Sequence, residues 1–92
     1  MDKVLRPKAV ILHDSALIPA VNRISPAPNQ FTHAVSNQPF YYEEPEEGAV
    51  PAGEFNTGTK VVLLVYDGSR LCRVVDDRGL YVVTAYEGLR PL

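Results

Sequence analysis

The sequence predicts an all-β fold: a small barrel or tightly wrapped sheet, preceded by a proline-rich, mostly irregular arm. Three observations carry this expectation. A chain of 92 residues is long enough for one core and no more. Seven of the eight prolines lie in the first 51 residues, whereas every glycine lies from Gly48 onward. Proline removes a backbone donor and fixes φ, which suits extended connectors, while glycine permits the positive φ of tight turns. The glycine-punctuated half also holds short β-branched runs with no helical spacing.

The first elements belong to the arm, residues 1–38. A short strand is predicted at residues 9–12 after Pro7, then a turn capped by Asp14 or Ser15 that runs through Leu17 and ends at Pro19. Residues 24–29 (ISPAPN) read as an extended proline-rich connector. Residues 38–42 (QPFYY) read as an aromatic strand that enters the β domain of residues 39–92. Residues 60–66 (KVVLLVY) form the strongest strand signal and end at Asp67-Gly68, a dipeptide suited to a type I′ turn. Both parities are apolar from Val61 to Val65, so this strand is expected to be covered on both faces. Residues 71–76 (LCRVVD), a turn at Asp77-Arg78-Gly79 and residues 80–85 (LYVVTA) complete a meander. A single turn at residues 86–89 precedes Arg90-Pro91-Leu92.

Charge and cysteine content narrow the function classes. Nine basic residues face eleven acidic ones, a net charge of −2 with a pI near 5.6, which argues against a nucleic-acid partner. The apolar run at residues 9–12 is too short for a membrane span or for the core of a signal peptide. With one cysteine, no intrachain disulfide forms. A cytoplasmic protein with no membrane partner is the expectation.

The stretch PAGEFNTGTKVVLLVYDGSRLCRVVDDRGLYVVTAYEGL, residues 51–89, resembles a bacterial SH3-like domain, and the resemblance extends over about residues 40–92. Gly58-Thr59-Lys60-Val61 looks like that family's diverging turn, Asp67-Gly68 like its hairpin, and Gly79 with Tyr86 and Leu89 like its closing segment. The resemblance implies an SH3-like barrel of about five strands. The chain departs from the family at the ligand groove. It has no tryptophan after the hairpin, where Arg70-Leu71 stands, and Val83-Thr84 occupies the place of a groove proline found in eukaryotic members. Ordinary polyproline binding needs that aromatic wall.

Candidate chemistry is sparse. His13-Asp14-Ser15 holds the residue types of a hydrolase triad, but sequence neighbours diverge in direction, and a capped turn is the simpler reading. His13 and His33 have no ligand-spaced partners. Cys72 lies in an apolar strand, where a thiol is an inert core residue. No catalytic residue, metal ligand or cofactor is assigned. The most concentrated charge is Glu43, Glu44, Glu46 and Glu47, directly after Phe40, Tyr41 and Tyr42. An acidic loop beside exposed tyrosines attracts a basic partner and offers flat amphipathic contact area; otherwise it is a solvated loop whose aromatics fill the core. The predicted partner-binding residues are Tyr41, Tyr42, Glu43, Glu44, Glu46, Glu47, Tyr66, Arg70 and Tyr86.

The leading expectation is therefore a non-catalytic module that binds a basic or proline-containing protein or peptide. Ser25-Pro26-Ala27-Pro28 adds the idea that the arm occupies the barrel's own groove or a neighbour's, giving a homodimer by arm exchange. A second expectation is a small immunity or inhibitor protein that blocks a partner enzyme, distinguished by nanomolar or tighter affinity. Cell-wall binding, common in bacterial relatives of this fold, requires export, for which the sequence shows no signal. An enzyme comes last, through an active site shared at the centre of an oligomer around Tyr or Lys60.

Overall fold

In the computed structural model the described residues are 18–92. The strand expected at residues 9–12, the turn through Leu17, and His13-Asp14-Ser15 lie outside them. The described chain is all-β. Seven strands form one antiparallel sheet: β1 (His33–Val35), β2 (Gln38–Tyr41), β3 (Gly53–Phe55), β4 (Thr59–Val65), β5 (Leu71–Asp76), β6 (Tyr81–Ala85) and β7 (Leu89–Pro91). Their order across the sheet is β3-β2-β6-β5-β4-β1-β7. The sheet is not closed into a barrel, and one of its seven strands comes from residues ahead of position 39. Two 3-10 turns, Ala20–Asn22 and Tyr86–Gly88, complete the described elements.

The meander β4-β5-β6 forms where the valine runs and glycine turns place it, and β5 has the bounds that its alternation of Cys72 and Val74 against Arg73 gives. The core gathers Val35, Phe40, Phe55, Val61, Val74 and Val82, with Ile18 reaching in from the amino-terminal side. The Phe40 and Phe55 rings lie 4.9 Å apart. Gly53 permits this, because a Cβ there would stand 2.7 Å from the Phe40 ring.

Three expectations change. β4 is not covered on both faces: Val61 is fully buried, but Leu64 and Val65 are 46% and 51% exposed. β1 pairs with β4 only as far as Val61, and a register shift between Leu63 and Val65 turns the strand end outward. The strand with both faces buried is β6, where Val82, Val83 and Thr84 are all inaccessible. The β4–β5 connection is also longer than a two-residue type I′ turn. Strands end at Val65 and resume at Leu71, and the Asp67 carboxylate accepts from the Ser69 amide at 3.0 Å beside Gly68 at φ 94°.

The third change concerns residues assigned to the irregular arm. Residues 33–35 form β1, which sits between β4 and β7 and buries Val35. Ahead of it, Arg23 bridges to Leu80, and the Ile24 amide donates to the Gly79 carbonyl at 2.8 Å. Residues 25–29 are irregular, as expected, and pass the β5–β6 turn, where Ala27 lies against Gly79. Ser25-Pro26-Ala27-Pro28 is thus placed at that turn within its own chain.

Candidate functional site

The acidic loop is the connection between β2 and β3, and its base is fixed at both ends. The Ala52 amide donates to the Phe40 carbonyl at 2.9 Å, and the Ala49 amide donates to Glu46 at 2.9 Å inside the loop. At the other end the Asn22 side-chain amide donates to the Tyr42 carbonyl at 2.7 Å. Pro45 and Pro51 keep the loop from adding to the sheet, and Gly48 turns it at φ 81°. The loop encloses an open cavity of about 530 Å³ lined by Tyr41, Tyr42, all four glutamates and Val50.

Six of the nine predicted residues therefore share one concavity: Tyr41, Tyr42, Glu43, Glu44, Glu46 and Glu47. The glutamates are exposed, whereas both tyrosines are half-buried. Tyr42 packs on the core with its ring 6.5 Å from Phe40. The chain has no basic residue between His33 and Lys60, and among the described residues no ion pair reaches any of the four carboxylates. The four carboxylates form a negative patch with no ion pair to any described cation, and the basic side chain on its border is Arg73, which shares a cleft with Glu44.

The other three predicted residues form a separate cluster. Tyr66, 41% exposed, stacks on half-buried Tyr86 with centroids 3.7 Å apart and planes 5° from parallel. Arg70 contributes its backbone, accepting from the Tyr86 amide at 2.9 Å. Glu44 lines both the acidic cavity and a narrow cleft of about 80 Å³ that it shares with Val65, Asp67, Ser69 and Arg73. Two residues of this surface carried no functional signal in the sequence. Asp67 read only as a turn former, yet its exposed carboxylate stands beside Tyr66, and hydrogen bonds from Ser69, side chain first, hold its pKa below the ordinary 3.8. Val50, 86% exposed, puts an apolar contact on the cavity wall.

Elsewhere, no three His, Cys, Asp or Glu side chains among the described residues are grouped to hold a metal ion, and His33 meets the Thr32 hydroxyl at 2.8 Å. Cys72 is 4% exposed in the core, and burial raises its thiol pKa to about 11. No described helix is long and apolar enough to cross a membrane. No family model matches the chain, and no curated protein or solved structure is significantly similar to it.

Proposed function

We propose that this protein is a non-catalytic binding module whose β2–β3 loop docks a basic segment of a partner protein. One observation carries the reading: four carboxylates without cationic partners among the described residues and two half-buried tyrosines line a single concavity in a stretch devoid of basic residues. The half-buried rings offer contact area at little entropic cost, and Val50 adds an apolar wall. The glutamates steer and select. The fitting partner is an extended segment that alternates cationic and apolar side chains.

An SH3-like identity for the β domain belongs to the same proposal. It is supported by the β4-β5-β6 meander that runs through a 3-10 turn at Tyr86–Gly88 into β7, and by Gly58 at φ 89° in the turn ahead of β4. The position of an SH3 groove proline is held by Val83 and Thr84, both inaccessible, which favours the acidic loop over a polyproline groove as the ligand surface.

The test is a titration of the intact chain with a short peptide of alternating lysine and alanine, followed by amide chemical shifts. The proposal expects saturable shifts concentrated at residues 41–50, and their loss in the variant with Glu43, Glu44, Glu46 and Glu47 all changed to Gln. Shifts scattered over the surface, or unchanged in that variant, would overturn it.

A further inference from the structure

The β2–β6 ladder pairs Phe40 with Thr84 and Tyr41 with Val83, and there it stops. Continued in the same register, Tyr42 would face Val82 and the next residue would face Tyr81. The two strands part instead, and a side chain from outside the ladder joins them at the carbonyls of Tyr42 and Tyr81. Two acceptors cannot satisfy one another, but one nitrogen that carries two hydrogens can bond to both. The Asn22 side chain is that donor. It is 4% exposed, and its Nδ2 donates to the Tyr42 carbonyl at 2.7 Å and to the Tyr81 carbonyl at 2.8 Å. Asn22 is itself held firmly. Its amide closes a 3-10 turn on Pro19 at 2.8 Å, Ile18 anchors one side in the core, and the pairing of Ile24 with Gly79 anchors the other.

We propose that Asn22 is a positioning residue for the acidic docking surface: it ends the β2–β6 ladder and sets the direction in which the β2–β3 loop leaves the sheet. This rests on the docking function proposed above. Segment 18–24, distant in sequence from the glutamates, becomes a brace for the first peptide of the loop that carries them. No other residue type of this size places two amide hydrogens on one nitrogen, so the role follows from the chemistry of Asn and the geometry of the gap.

The experiment compares Asn22→Ser, which removes the paired donor, with Val74→Ala, which opens a cavity in the core beneath β5 and leaves the Asn22 hydrogen bonds in place. For each, affinity for the lysine-alanine peptide and hydrogen exchange of the backbone amides are measured on the full chain. Asn22→Ser is expected to weaken binding roughly tenfold, the equivalent of one lost buried hydrogen bond. Exchange should accelerate at residues 42–50 while β5 keeps its protection. Val74→Ala is expected to loosen the sheet and leave the loop and the affinity as they are. Should Asn22→Ser not fold, Asn22→Gln takes its place, displacing the same amide by one methylene, with the same loop-limited change expected. Wild-type affinity and loop exchange in the folded Asn22 variant, or an equal loss in Val74→Ala, overturn the proposal. If the wild-type chain does not bind the peptide, the docking function fails, and exchange alone then decides the positioning role: acceleration confined to the loop supports it and a uniform change refutes it.

Discussion

Asp76 is 1% exposed, yet its carboxylate is fully engaged: Oδ1 accepts the Arg78 and Leu80 amides at 2.8 and 3.1 Å, and Oδ2 meets the Arg78 guanidinium at 2.7 Å. The residue that sequence patterning places at a strand end is thus the organiser of the β5–β6 turn. In Asp76→Ala the cost falls on the buried Leu80 amide, which loses its acceptor. A loss of about 1–3 kcal/mol is expected in a urea titration; an unchanged midpoint would contradict the role. Cys72 gives a second residue-scale prediction. With its pKa raised from 9.0 to about 11 by burial, the folded state favours the neutral thiol. That contribution is complete below pH 9 and is lost as pH rises toward 11. Iodoacetamide at pH 8 should label the native thiol far more slowly than the urea-unfolded one. The inert placement of Cys72 was legible from its apolar neighbours. The role of Asn22 was not, because a lone Asn between Val21 and Arg23 has no pattern that points across the fold to Tyr42 and Tyr81.

Among the elements, local signals located β2, β4, β5 and β6, missed β1, β3 and β7, and read burial poorly. β5 and the 3-10 turn at Tyr86–Gly88 follow from alternation and turn chemistry, which are properties of adjacent residues. Which strand is covered on both faces depends on what packs over the sheet, not on the strand's own residues, and the apolar end of β4 is exposed while β6 is enclosed. β1 escaped notice because three residues, His-Ala-Val, are too short to show a period. Glycine positions allow a test at this scale. Gly79 has φ 83°, and a Cβ there would collide with the Ile24 carbonyl, whereas Gly48 has φ 81° with open space around it. Gly48→Ala should cost only the left-handed backbone penalty, of the order of 1 kcal/mol. Gly79→Ala should cost more, because segment 18–24 must also give way. Equal thermal shifts in the two variants would deny that this segment packs as a brace on the β5–β6 turn.

For the whole molecule, the division at residue 38 does not separate a sheet from a detachable arm. Ile18 lies in the core, and β1 stands between β4 and β7. The fragment 39–92 therefore lacks an interior strand of its sheet, and its circular dichroism is expected to melt without a cooperative transition; a sharp melt like that of the full chain would show that β1 is dispensable. The candidate surface was half legible from sequence. Its six loop residues lie within residues 41–47 and share one cavity, whereas Tyr66, Arg70 and Tyr86 form a second cluster, a division that only the three-dimensional path of the β4–β5 connection reveals.

The central claim, that the unneutralised glutamates of the β2–β3 loop draw in a cationic partner, is tested most directly by the association rate of the lysine-alanine peptide as ionic strength rises. Between about 0.1 M and about 1 M salt the screening length falls from about 10 Å to about 3 Å. The wild-type rate should fall by roughly tenfold or more over that range, while the variant with all four glutamates changed to Gln should start slower and stay nearly flat. A wild-type rate indifferent to salt, or a variant that declines as steeply, would contradict the account.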